Sequence, residues 1–113
     1  MVTDLGLSKS LLTELFPQPQ SAEEWMQYAL SEEQVRQFRE RGYLHKVRLL
    51  NEEQLNALRN QLAEMVDPEH DGREFFYEYH SNESESADNV LFHALGAWRV
   101  RPAFHDALWN PAF

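Results

Sequence analysis

Residues 30–66 read LSEEQVRQFRERGYLHKVRLLNEEQLNALRNQLAEMV, and their two helix starts decide the fold. Ser31 stands at an N-cap position with Gln34 three residues on, and Asn51 repeats the arrangement with Gln54. In such a box the cap side chain accepts the N–H of the third helical residue, and that residue reaches back to the cap. Leu30 with Val35, and Leu50 with Leu55, flank the caps at staple positions. Glu32-Glu33 and Glu52-Glu53 set negative charge at the positive end of each helix dipole. The first helix is expected to run to Arg41 and stop at Gly42, the residue type that best tolerates a left-handed C-cap. Tyr43-Leu44-His45-Lys46-Val47 then reads as a short strand. The second helix, Glu52 to about Val66, sets Leu55, Leu58, Leu62, Met65 and Val66 on one face before Asp67-Pro68 closes it. The two starts share capping chemistry and do not form a repeat, because the likeness extends no further.

Working outward toward the N-terminus, Ser8 to Phe16 has Leu11, Leu12, Leu15 and Phe16 at helical spacing and stops at Pro17-Gln18-Pro19. Ser21-Ala22-Glu23-Glu24 is a third capping signature, opening a helix from Ala22 to about Ala29 with Trp25, Met26 and Ala29 on one side. In the other direction, Glu74 to His80 alternates as a strand, with Phe75, Tyr77 and Tyr79 on an aromatic face. Ser81 to Asn89 is polar and acidic, hence a solvated loop, with a mobile lid as the minor reading. Val90 to Trp98 is apolar around Gly96, and periodicity leaves it open between strand and helical turn. Pro102 suits the first turn of a last helix that turns Phe104, Ala107 and Leu108 inward before Asn110-Pro111. The result is an α+β fold: N-terminal helices with a small antiparallel sheet.

The chain has 113 residues, one domain's worth, with 42% hydrophobic and 12% aromatic residues. Its net charge is −9, and residues 51–113 hold 12 of the 19 acidic side chains against 4 of the 10 basic ones. An acidic surface repels phosphate backbones and anionic lipid, so no nucleic acid and no membrane partner is expected. The absence of cysteine excludes disulfides, thiolate metal sites and cysteine nucleophiles. There is no signal-peptide pattern and no apolar run near the ~20 residues of a spanning helix, so a cytoplasmic location is expected.

Five histidines raise the question of a metal: His45, His70, His80, His93 and His105. A non-haem iron triad needs two histidines and a carboxylate, in sequence a His-x-Asp or His-x-Glu and a distant histidine. Two residues beyond each histidine stand Val47, Gly72, Asn82, Leu95 and Ala107, none of them a carboxylate. His80 is then a strand-end histidine facing water. The adjacent pairs His70-Asp71 and His105-Asp106 are expected to point apart, because neighbouring side chains do not converge on a regular element. Four glycines form no phosphate loop. Residue chemistry alone therefore assigns no catalytic residue and no metal ligand.

The order of elements carries a resemblance instead. The run Leu30-Ser31-Glu32-Glu33-Gln34-Val35, Phe38, Gly42-Tyr43-Leu44, Leu49-Leu50-Asn51, Gln54-Leu55, Leu58-Arg59 and Leu62 resembles the opening of phytanoyl-CoA dioxygenase-like proteins. Leu91-Phe92-His93, Trp98 and Phe104 to Pro111 look like that family's next segment, so the resemblance covers about residues 30–111. It implies a double-stranded β-helix (jelly-roll) oxygenase that binds Fe(II) and 2-oxoglutarate and hydroxylates a small organic substrate. The family's iron ligands lie downstream of every matched residue, so most of the barrel is absent and the chain alone is expected to be inactive and to bind neither cofactor. The abrupt apolar end at Ala112-Phe113 favours a truncated chain over a naturally short one. Residues 1–20 are expected to be a helical extension and Pro-containing linker, and residues 21–113 the N-terminal portion of the dioxygenase-like domain. The resemblance would place Tyr77, Tyr79, His93 and Trp98 on the substrate side, beside the barrel mouth. The alternative is a non-catalytic α+β interaction or oligomerisation module, a homo-oligomer covering the open sheet.

Overall fold

The computed structural model, which describes residues 2–113, contains four α-helices and one two-stranded antiparallel sheet. The helices are α1 (Ala22–Met26), α2 (Glu32–Arg41), α3 (Glu52–Val66) and α4 (Pro102–Ala107); the strands are β1 (Glu78–His80) and β2 (His93–Leu95). There are three single turns of 3₁₀-helix: Leu5–Leu7 ahead of α1, Arg73–Phe75 before β1 and Ala97–Arg99 between β2 and α4.

The capping chemistry sets the helix ends. Ser31 accepts from the Gln34 N–H while the Gln34 side chain accepts the Ser31 N–H, and Asn51 with Gln54 does the same. Gly42 closes α2 at φ 79°, in the left-handed region. Ser21 caps α1 through the Glu24 N–H, but Glu24 reaches past the cap to accept the Gln20 N–H, and the helix ends at Met26. Pro102 occupies the first turn of α4, where its missing N–H costs nothing.

Two expected elements do not form. The segment from Ser8 to Phe16 is irregular, because its amide groups bond elsewhere: the Leu12 and Thr13 N–H groups donate to Asp106, and the Leu15 N–H to the Thr13 hydroxyl. Tyr43–Val47 is not a strand; Lys46 sits at φ 61°, which breaks a pleated run, and no neighbour pairs with it. A third is shorter than its pattern. Arg73–Phe75 winds into a 3₁₀ turn, so the strand keeps only Glu78–His80. The open segment 90–98 divides between both readings, strand at His93–Leu95 and helical turn at Ala97–Arg99.

The core is small and is built from the two ends of the chain against α3. Phe16, Met65, Val100 and Ala103 are its buried apolar side chains. On α3 only Gln54 and Met65 are buried, with Leu55, Leu58 and Gln61 half-buried, and Leu62 and Val66 stay exposed. The two glutamines act as tethers. Gln54 Nε2 donates to the Leu15 carbonyl at 2.7 Å, and Gln61 Oε1 accepts the Ala103 N–H, an otherwise orphaned donor in the first turn of α4, at 2.8 Å. Gln18 to the Trp109 carbonyl and Asn110 to the Leu49 carbonyl, each 2.8 Å, complete the lacing. The N-terminal stretch thus packs on α4 and the turn before it. α4 buries Ala103, His105 and Asp106, while Leu108, expected inward, is exposed.

The remaining surface is large. Accessible area is 8437 Å², whereas a self-contained monomer of this mass exposes about 6,500 Å². The radius of gyration is 17.3 Å, against about 13 Å for a compact chain of this length. Roughly 2,000 Å² of surplus, as large as both sides of a stable interface, is therefore uncovered. α2 buries none of its residues, and Trp25, Met26, Phe38 and Tyr43 face outward. Among the described residues no helix is long and apolar enough to cross a membrane.

Candidate functional site

The four residues expected on the substrate side separate into different environments. Alternation in the hairpin sends Tyr79 and Ala94 to one face and Glu78, His80, His93 and Leu95 to the other, so Tyr79 and His93 point apart. Tyr79 turns inward among His70, Phe76 and Phe92, and its hydroxyl donates to the Met65 carbonyl at 2.7 Å. Burial pushes its phenol pKa up, partly offset by the Arg73 guanidinium 4.9 Å from the ring. Tyr77 is exposed, and Arg99 lies 4.7 Å from its ring centroid. Trp98 closes over Gly6, where a Cβ would stand 2.7 Å from the indole. Nor do any of the four line the cleft of about 250 Å³ formed by Phe16, Tyr28, Leu49, Gln54, Asn110 and their neighbours.

Arg99 organises the region around Trp98. Its guanidinium donates to both Asp4 carboxylate oxygens and to the Phe75 carbonyl, joining the first turn of the chain to the segment before β1. The Arg99 hydrogen bonds hold the Asp4 carboxyl below its ordinary pKa. These partners are consumed in fixing the fold, which leaves Arg99 structural.

The His105-Asp106 pair corrects the expectation that adjacent side chains point apart. Both are fully buried, and His105 Nδ1 lies 2.8 Å from Asp106 Oδ1. The Asp106 carboxylate also accepts the Thr13 hydroxyl and N–H, each at 2.6 Å, and the Leu12 N–H at 2.9 Å. Burial alone would raise the Asp106 pKa, but the bonds from Thr13, His105 and the two backbone N–H groups outweigh it and leave the pKa lowered. Trp109 packs on the imidazole with ring centroids 4.9 Å apart. Every oxygen lone pair of use is taken, so the pair is a clamp and has no room for substrate.

The remaining cluster lies on the outer face of the hairpin. His80 and His93 stand opposite each other in register, with ring centroids 5.7 Å apart. Glu78 precedes His80 by two residues on the same face, and Glu83 folds back from the loop, its own N–H donating to the Leu91 carbonyl at 2.8 Å. The loop from Ser81 is braced rather than loose: Asn82 Oδ1 accepts the N–H groups of Ser84 and Leu91, and its Nδ2 donates to the Ser86 carbonyl. Glu78, His80 and Glu83 each offer a donor atom within 4.8 Å of the others, the one such group among the described residues. The forward spacing His-x-carboxylate misses it, because the carboxylates stand two residues before His80 and three after it.

This chain's residues do not fit the iron and 2-oxoglutarate centre that the resemblance implies. Among the described residues the histidine–carboxylate group is solvent-exposed on a two-stranded hairpin, and no Lys or Arg pairs with its glutamates to receive a co-substrate carboxylate. Comparison with family models, with curated proteins and with solved structures finds no match for the chain.

Proposed function

We propose that the chain is the helical approach to an Fe(II)- and 2-oxoglutarate-dependent oxygenase of the phytanoyl-CoA dioxygenase type, acting on a small organic substrate. The jelly roll and its metal ligands would belong to polypeptide outside these 113 residues. The observation that carries this reading is the roughly 2,000 Å² of surface in excess of a compact monomer, on a chain whose capped helix, Gly42-Tyr43 and second capped helix keep the family's order. A two-stranded sheet with both outer edges unpaired is the start of a larger sheet or needs a cover. In this reading Tyr77, which is exposed, is left free to meet such a barrel, whereas Tyr79 is a packing residue.

Sequencing the reading frame beyond codon 113 tests it. A His-x-Asp or His-x-Glu, a later histidine and a basic residue are expected, and an immediate stop codon would overturn the proposal. The 113-residue chain itself is expected to give no Fe(II)-dependent decarboxylation of 2-oxoglutarate. A second reading draws on the same uncovered surface: an interaction module in which another copy of the chain covers the exposed hydrophobic side chains of α1 and α2. It predicts a concentration-independent dimer in light scattering, and a well-folded monomer counts against it.

A further inference from the structure

The outer face of the hairpin has the composition and spacing of a cation site, and we propose that Glu78, His80 and Glu83 bind one divalent transition-metal ion of the zinc class, with His93 as a positioning residue. This inference does not rest on the oxygenase reading, and the site is separate from any catalytic iron.

The geometry comes first. His80 Nε2 stands 3.1 Å from Glu78 Oε1 and 3.9 Å from Glu83 Oε1. A tetrahedral ion with bonds of about 2.0–2.1 Å places its ligand atoms roughly 3.3–3.4 Å apart. The two His80 separations bracket that value and all three donor atoms lie within 4.8 Å of one another, so an ion would draw each side chain in by about an ångström or less. Water completes the coordination from the open side, because the side chains are 35–50% exposed.

The division of the carboxylate oxygens supports the role of His93. Each glutamate turns Oε1 toward His80 and Oε2 toward His93: His93 Nε2 is 3.7 Å from Glu78 Oε2, and its Nδ1 is 3.6 Å from Glu83 Oε2. These distances lie just beyond hydrogen-bond reach, so a closure of about half an ångström would let the one N–H of a neutral His93 donate to a far oxygen and aim the near oxygen at the ion, as outer partners do in metal sites. The cross-strand register His80↔His93 and the Glu83 N–H bond to Leu91 set these positions before any ion arrives.

Charge and ligand type select the ion. Two carboxylates would neutralise a divalent cation, and among the described residues no Lys or Arg pairs with either. An imidazole nitrogen favours zinc, copper or nickel over calcium and magnesium, which take oxygen donors. The bound ion would cross-link β1 to the loop at Glu83, stiffening the polar connection between β1 and β2.

The full chain, freed of metal with a chelator, is titrated with ZnCl₂ by calorimetry at pH 7.5. One ion per chain is expected, with the imidazole signals of His80 and His93 perturbed in NMR and that of His45 unmoved. His80→Ala and the Glu78→Gln/Glu83→Gln double variant abolish saturable binding. His93→Gln weakens it about ten- to hundredfold while leaving the unfolding midpoint of the metal-free chain unchanged, which a merely structural role would move. Glu78, His80 and Glu83 are exposed and His93 is half-buried, so circular dichroism should show the variants folded. Absence of stoichiometric binding, or binding that survives His80→Ala, overturns the proposal.

Discussion

The Asp106 carboxylate accepts the backbone N–H of Thr13 at 2.6 Å, across 93 residues of sequence. The same carboxylate takes the Thr13 hydroxyl, the Leu12 N–H and one nitrogen of His105, so a single side chain holds the N-terminal stretch against α4. With only four buried apolar side chains among the described residues, this polar clamp carries a large share of the tertiary structure.

Asp106→Asn should therefore be costly. The amide keeps one acceptor oxygen and turns its NH₂ toward groups that are themselves donors, leaving buried polar atoms unsatisfied. The expected loss is about 3 kcal/mol, read as a lower urea midpoint at pH 7. A loss below about 0.5 kcal/mol, the level of an indifferent surface change, would show that the clamp is dispensable.

Acid should weaken the fold in a defined direction. Asp106 and Asp4 have lowered pKa values in the folded chain: at Asp106 the bonds from Thr13, His105 and the backbone overcome burial, and at Asp4 the Arg99 bonds dominate. A carboxyl whose folded pKa is depressed stabilises fully above its unfolded value of about 4 and loses that contribution as pH falls through the folded value. Denaturation at pH 7 and pH 3 should show the lower stability at pH 3. Asp106→Asn should lose less between the two pH values than the wild type, and an equal loss would remove Asp106 as a cause.

Tyr77 and Tyr79 should respond differently to loss of the hydroxyl. Tyr79→Phe removes the bond to the Met65 carbonyl at the end of α3, at a cost of about 1 kcal/mol. Tyr77 is 64% exposed, so Tyr77→Phe should stay within about 0.5 kcal/mol. Thermal unfolding of the two variants compares them directly; a larger effect at Tyr77 contradicts this assignment.

Two glycines should rank in order. Gly42 at φ 79° has open space where a Cβ would go, so Gly42→Ala carries only the left-handed backbone cost of about 1 kcal/mol. At Gly96, φ is 113° and a Cβ would lie 3.2 Å from the Tyr77 ring. Gly96→Ala should be the more destabilising in the same denaturation assay, and the reverse order would show that Tyr77 gives way freely.

The helix ends were legible because the chemistry that sets them spans three or four residues. Ser31 with Gln34, Asn51 with Gln54 and the stop at Gly42 are local relationships, and α2 and α3 begin and end where those residues place them. Ser8–Phe16 has equally good helical spacing and is not helical, since its N–H groups are claimed by Asp106 from the far end of the chain. The strand pattern of Tyr43–Val47 fails for lack of a partner, and the pattern of Glu74–His80 succeeds only where β2 supplies one.

The candidate sites divide in the same way. The resemblance named His93 as a substrate-side residue, and the His-x-carboxylate spacing gives no sign that Glu78, His80 and Glu83 converge. That convergence needs the hairpin register and a loop that folds back. Their adjacency predicts that His105 and Asp106 point apart, whereas the imidazole and the carboxylate meet in the protein interior. What the sequence determined by itself is the α+β class and the two capped helices, because a hydrogen bond between near neighbours is available whatever the rest of the chain does. Only the tertiary structure decided which polar side chains are buried together and which face water, because those contacts exist only after distant segments have closed on one another.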